Sequence, residues 1–210
     1  MFSMRLIIGI IFLLLINVKY SLANHKFTCN HFTEKYEKKF SLPNKLLTSI
    51  SLVESGKKVG DKFTSWPWTL NVEGKSKFFE SKDQTLSFLK LNYKKKKNID
   101  VGCMQISLKY HFKNFKNLEH ALDPESNVRY GAKFLKSLYK RHRTWNEAIS
   151  RYHSSNIPKK NKYLEKVKHY WSELRQKKKY IEIGNLRKKR DEKIQYYREI
   201  LSKNKYSNKI

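Results

Sequence analysis

Pro43-Asn44-Lys45-Leu46-Leu47-Thr48-Ser49-Ile50-Ser51-Leu52-Val53-Glu54-Ser55-Gly56 has the spacing of a short, mostly buried helix. Proline suits a first helical position, where its missing N–H has no intrahelical partner to lose, and Gly56 supplies a stop. Leu46, Leu47, Ile50 and Val53 recur at helical intervals. Leu47, Ile50 and Glu54 fall at i, i+3 and i+7, so a carboxylate ends an otherwise apolar row. Loss of hydration there favours the neutral acid and lifts its pKa toward the range of a general acid near neutrality. A glutamate at a helix end is also an ordinary solvated residue. Spacing alone leaves both readings open, and the surrounding sequence has to separate them.

Downstream, Trp66, Trp68, Leu70 and Val72 alternate at period two, Glu73-Gly74 supplies a turn, and Lys77 to Phe79 return, which predicts a small β-hairpin. Ser81 with Gln84 three residues on resembles a capping box and opens a helix through Leu86, Leu89 and Tyr93. Asn98 to Gly102 lacks helical periodicity and reads as a loop. Asp123-Pro124 caps the clearest helix, with Val128, Ala132, Leu135 and Leu138 on one face. Thr144 and Glu147 start another, carrying Ala148, Ile149 and Tyr152. After Pro158 comes a helix with the face Tyr163, Val167, Tyr170 and Leu174. The fold class is mainly α with one small hairpin, and no internal repeat is visible. Residues 24–175 form the expected domain, and residues 176–210 a basic tail, helical or disordered.

The first residues set the compartment. One positive charge at Arg5 precedes an apolar run from Leu6 to Val18, and Ser21-Leu22-Ala23 places small residues at its first and third positions. This predicts a secretory signal over residues 1–23, cleaved after Ala23. The run is shorter than the roughly 20 residues of a stable membrane helix, which leaves a permanent anchor as the second reading. Cys29 and Cys103 remain after cleavage. An even pair in an oxidising compartment suggests one disulfide, against the alternative of two buried thiols. The 210-residue chain is 14% aromatic and 39% hydrophobic, enough for a core, and carries a net charge of +28. Such charge fits an anionic neighbour, whether nucleic acid, an acidic membrane face or the cell envelope. A lysine-rich composition bias explains the same number without any partner.

Several chemistries are absent from the sequence. It has no Gly-rich phosphate loop, no His-Glu-x-x-His, no Gly-x-Ser-x-Gly and no Cys-x-x-Cys. No cofactor or metal is expected, and carboxylate chemistry remains. The order Val53-Glu54-Ser55-Gly56, Gly102-Cys103-Met104-Gln105-Ile106 and Ala148-Ile149-Ser150-Arg151-Tyr152-His153 resembles the signature set of the soluble lytic transglycosylases, in the goose-type lysozyme superfamily. The resemblance covers about Leu42 to Leu174. The tryptophan-rich hairpin and Asp100-Val101-Gly102 are similar to a bacterial envelope subgroup.

The resemblance implies a lysozyme-like α domain, with the hairpin beside an active-site cleft, that cleaves peptidoglycan glycan strands. Glu54 is then the single catalytic acid and base. It would protonate the glycosidic oxygen between N-acetylmuramic acid and N-acetylglucosamine, then take the muramic acid C6 hydroxyl proton as that oxygen closes on C1. Ser55 is implied to position the sugar, Gly102 to let backbone approach it, and Met104 and Gln105 to line the cleft. Tyr152 is implied to hydrogen-bond the catalytic carboxylate, with His153 where the commoner pattern has asparagine. Trp66, Trp68, Phe78 and Phe79 offer faces for sugar stacking, although hairpin aromatics also pack against helices. A hydrolytic muramidase needs a second carboxylate, for which Asp61, Glu73 and Asp100 are the candidates. A non-catalytic envelope-binding protein would keep the cleft without the chemistry. The expected location is the periplasm or cell envelope, with the tail tethering to anionic envelope polymers. No nucleic acid is expected, because no recognition motif accompanies the charge.

Overall fold

The computed structural model describes residues 28–207, and the signal read over residues 1–23 lies outside them. Thr28 opens helix α1 (Cys29–Lys39), its hydroxyl accepting from the His31 N–H. Helix α2 (Leu46–Ser55) starts later than the proline predicts, because Lys45 adopts a left-handed conformation (φ 65°) and breaks the helical path. Lys45 gives no side-chain cap. Instead Glu37, buried on α1, accepts the Lys45 and Thr48 N–H groups, each at 2.9 Å, and the Thr48 hydroxyl at 3.1 Å. A carboxylate from one helix thereby satisfies the free donors at the positive end of the next. Leu46, Leu47 and Ile50 are fully buried. Gly56 does not stop α2 by turning left-handed; it is extended (φ −60°, ψ 130°) and leads directly into a strand. Its hydrogen side chain is required by crowding, since a Cβ there would lie 2.3 Å from the Leu52 carbonyl oxygen and from the Phe63 ring.

That strand, β1 (Gly56–Val59), pairs antiparallel with β2 (Lys62–Ser65) in a hairpin the sequence reading did not anticipate. The predicted hairpin is present but shorter: β3 (Thr69–Val72) begins after Trp68 and turns through Glu73 and Gly74 into β4 (Lys75–Phe78). Both turn residues have positive φ (52° and 89°), the conformation whose twist suits a two-residue hairpin loop. The segment expected to be a loop contains β5 (Ile99–Val101), which pairs with β3 and with β6 (Ile106–Ser107). The four-stranded sheet runs β4-β3-β5-β6. Leu70, Val72, Ile99, Val101 and Ile106 turn into the core, so the residues between them face the other way.

Ser81 caps α3 (Lys82–Asn92) as expected, accepting from the Gln84 N–H, while Gln84 accepts from the Glu80 N–H. Short helices α4 (Leu108–His111) and α5 (Leu118–Leu122) lead to α6 (Pro124–His142), where Asp123 accepts from the Ser126 N–H at 2.9 Å and Pro124 opens the first turn. Val128, Ala132 and Leu135 of α6 are fully buried. Thr144 caps α7 (Trp145–His153). Helices α1 and α7 both pack on α6, and α1 also packs on α2. Cys29 and Cys103, 74 positions apart in sequence, form a disulfide with Cα atoms 5.6 Å apart. Closing a loop of that length stabilises by roughly 4 kcal/mol in the chain-entropy account.

The last helix, α8 (Ile157–Ser207), belongs to two units that divide between Trp171 and Ser172. In the first unit Tyr163 and Val167 are buried, Tyr170 stacks on Phe63, and Trp171 donates from Nε1 to the Asn44 carbonyl at 2.8 Å. The second unit is helical from Ser172 to Ser207, with i,i+4 ion pairs Lys178–Glu182 and Lys188–Glu192 along it. Among the described residues no helix is long and apolar enough to cross a membrane.

Candidate active site

The alternation of the sheet builds the floor of a cleft of about 520 Å³. Ser76 pairs with Asn71, Asn71 with Asp100, and Asp100 with Ser107, so four polar side chains form one row across β4-β3-β5-β6, and all four line the cleft. Directly opposed residues of this kind stand about 5 Å apart. Val53 and Glu54 close one end from the last turn of α2. Tyr152 and His153 come from the end of α7, and Lys159, Lys162, Tyr163 and Lys166 from the first turns of α8. Tyr110, His111 and Phe134 supply aromatic surface.

Glu54 lines this cleft beside Tyr152 and Tyr163. Its side chain is partly buried. Tyr163 donates its hydroxyl to Glu54 Oε1 at 2.6 Å, and Glu54 Oε2 has no hydrogen-bond partner among the described residues. Burial pushes the Glu54 carboxyl up to about 7; the Tyr163 bond and the Lys166 charge pull against that rise, and the Asp100 carboxylate adds to it. Desolvation is the largest of these effects, as expected for a carboxyl walled by Val53 and two tyrosines. Burial raises Tyr163 and Tyr152 well above the ordinary phenol range, so both remain donors. His153 lies flat on Tyr163, ring centres 4.7 Å apart and planes within 6°. Partial burial, with Lys159 and Lys166 nearby, lowers its pKa, which keeps the stacked imidazole neutral at pH 7.

The motif residues divide between the cleft and the core. Gln105 lines the cleft with its amide nitrogen bonded to the Gly102 and Thr69 carbonyls. Tyr152 and His153 line it too, but Tyr152 donates to the Met104 carbonyl at 3.0 Å, and the tyrosine on the carboxylate is Tyr163. Ser55 does not reach the cleft: it is 1% exposed, and its hydroxyl is committed to the Ser51 and Cys103 carbonyls. The Ser sits one residue past Glu54, on the helix face turned to the disulfide loop. Met104 is fully buried and fills the core. Gly102 is buried as well; a left-handed φ of 75° and the Asn127 side chain, 2.8 Å from where a Cβ would be, require glycine there. Trp66 and Trp68 lie outside the cleft lining. Trp66 donates to the Phe79 carbonyl at 2.7 Å and carries Lys57 over its ring.

Of the three further carboxylates, Asp61 sits exposed at the β1–β2 turn and Glu73 at the β3–β4 turn, where it accepts from the Lys97 N–H. Asp100 alone is in the cleft, held by Asn98 at 2.9 Å and raised in pKa chiefly by burial. Tyr163, Asn71 and Ser107 were missed by the motif reading. Asn71 and Ser107 were legible in principle, because each stands between apolar residues in a period-two pattern, Leu70 and Val72 for one and Ile106 and Leu108 for the other.

No curated protein matches the chain, and no solved structure does. The family model described as Transglycosylase SLT domain matches residues 31–171, a span that contains Glu54 and every wall of the cleft. The chain therefore belongs to the transglycosylase SLT domain family, whose members are lytic transglycosylases acting on peptidoglycan.

Proposed function

We propose that this chain is an exported lytic transglycosylase that cuts the bond from N-acetylmuramic acid to N-acetylglucosamine and leaves anhydromuramic acid ends. The observation that carries the reading is Glu54 at the head of the cleft with a pKa of about 7. A carboxyl poised at neutrality is available as an acid and, once its proton is given, as a base of matched strength. Glu54 protonates the leaving glycosidic oxygen. The substrate's own N-acetyl group stabilises the positive C1 centre where other glycosidases use a second carboxylate. The Glu54 carboxylate then takes the C6 hydroxyl proton as that oxygen bonds to C1, which restores the acid. Digestion of purified peptidoglycan followed by mass analysis tests this: anhydromuramyl products that vanish in Glu54→Gln support it, and absence of any product refutes it.

Asp100 supports one competing reading. It shares the cleft and acts electrostatically on Glu54, so it is placed to activate water in a hydrolytic muramidase. The same digestion separates the two, since hydrolysis gives reducing ends. In Asp100→Asn the anhydro products persist under our reading.

Tyr163 tunes the acid. Its hydrogen bond lowers the Glu54 pKa against the larger effect of burial, so Tyr163→Phe moves the acid's titration to higher pH. The weaker acid donates less readily to the glycosidic oxygen but stays protonated to higher pH, so the alkaline limb of the pH–rate profile shifts upward while kcat at pH 7 falls by about tenfold. An unshifted profile would show that the bond does not act on the reacting proton.

A further inference from the structure

Lys159, Lys162 and Lys166 recur at i, i+3 and i+7 on α8, and all three line the cleft. Each is exposed, and among the described residues none makes an ion pair. Their neighbours differ: Lys160 bonds Glu147 at 3.0 Å and Lys168 bonds Glu165 at 3.2 Å. Like charges three and four residues apart on a helix repel and weaken it, so an unpaired row facing a concave site has a cost that a bound anion offsets. The floor is of different chemistry. Asn71, Ser76, Asn98 and Ser107 are neutral donors and acceptors, suited to sugar hydroxyls and N-acetyl groups, and the one charged group among them, Asp100, is a carboxyl whose pKa burial raises. The floor thus offers polar groups and no positive charge, while α8 presents a row of positive charge suited to an anion.

We propose that Lys159, Lys162 and Lys166 select glycan strands whose branches carry free carboxylates, with the sugars along the Asn71-Asp100-Ser107 row and the acidic peptide branches along α8. The inference rests on the peptidoglycan reading above and adds a substrate preference to it. Lys159 and Lys162 are the better probes, because Lys166 also acts on the Glu54 charge.

The test uses the full chain on two substrates, peptide-bearing peptidoglycan strands and the same strands stripped of peptide by an amidase. Two exposed charge contacts are worth roughly tenfold in affinity together. The wild type is expected to favour peptide-bearing strands by about that factor in kcat/KM at low salt, with the preference shrinking at high salt. In Lys159→Gln/Lys162→Gln the ratio between substrates falls to near one, while Lys159→Arg/Lys162→Arg retains it. A wild type indifferent to the branches, or a Gln variant with undiminished preference, overturns the proposal. If neither substrate is cleaved, the enzymatic reading fails separately. Binding of soluble peptide-bearing and peptide-free fragments to the Glu54→Gln chain then decides the lysine proposal alone: tighter binding of the acidic fragment upholds it, and equal binding overturns it.

Discussion

Glu54→Gln is expected to lower glycan cleavage by roughly 10³-fold or more, because in the proposed mechanism one group performs both proton transfers, and at the same time to stabilise the fold above neutral pH. The two effects have one cause. The Glu54 carboxyl has a pKa of about 7 in the fold, against an ordinary value of 4.5 for a solvated glutamate. Below both values it is protonated in folded and unfolded chains alike and contributes no pH dependence. As pH rises from 4.5 toward 7 the unfolded chain ionises first and is favoured, so stability falls through this window and levels off above it. A shift of this size corresponds to up to about 3 kcal/mol. Glutamine keeps the shape and the acceptor for Tyr163 but cannot ionise, so its advantage over the wild type appears at pH 8 and is nearly absent at pH 4. Urea denaturation of both proteins at the two pH values measures it. A glutamine variant less stable than wild type at pH 8 would mean that the native fold favours the carboxylate, and the stored-proton mechanism would lose its basis.

A carboxyl raised by burial was legible because Glu54 ends an apolar helical row, and the capped starts of α6 and α7 were legible because Asp123-Pro124 and Thr144 with Glu147 state them in local spacing. The β1–β2 hairpin was not, since Lys57, Lys58 and Lys62 leave little alternating apolar pattern and its reason for forming is Phe63 packing against Gly56 and Tyr170. Tyr163 was hidden for another reason. It sits in the apolar face Tyr163, Val167, Tyr170, and a tyrosine in such a row announces burial without announcing where its hydroxyl goes. That partner lies 109 residues away in sequence, beyond any local pattern. The motif order located the right neighbourhood but not the contacts: Ser55 and Met104 adjoin the site in sequence and turn away from it in space, as alternate residues near a helix end and a tight loop must.

The residue holding that loop carries the second large expected effect, and no chemical motif pointed to it. Asn127 is fully buried on α6. Its amide nitrogen donates to the Val101 and Ala121 carbonyls and its oxygen accepts from the Met104 N–H, each at 2.9 Å. One side chain thus ties together the end of β5, helix α5 and the Gly102–Gln105 loop, whose left-handed Gly102 lies against the same amide. Asn127→Leu nearly preserves volume and leaves three buried backbone groups unpartnered, each costing about 1–3 kcal/mol. The expected loss is about 3–5 kcal/mol, a large share of the roughly 5–15 kcal/mol that holds a typical domain. Gln105 reaches the cleft from this loop, so activity should fall further than the unfolded fraction accounts for. Asn127→Asp separates the contributions: it keeps the acceptor for Met104, loses both donors and buries a carboxyl, so its deficit should be larger at pH 8 than at pH 4. A leucine variant within 1 kcal/mol of wild type by urea denaturation, with full activity, would show that the loop is held by the Cys29–Cys103 bridge and the Ser51 and Ser55 hydroxyls on the Cys103 carbonyl instead.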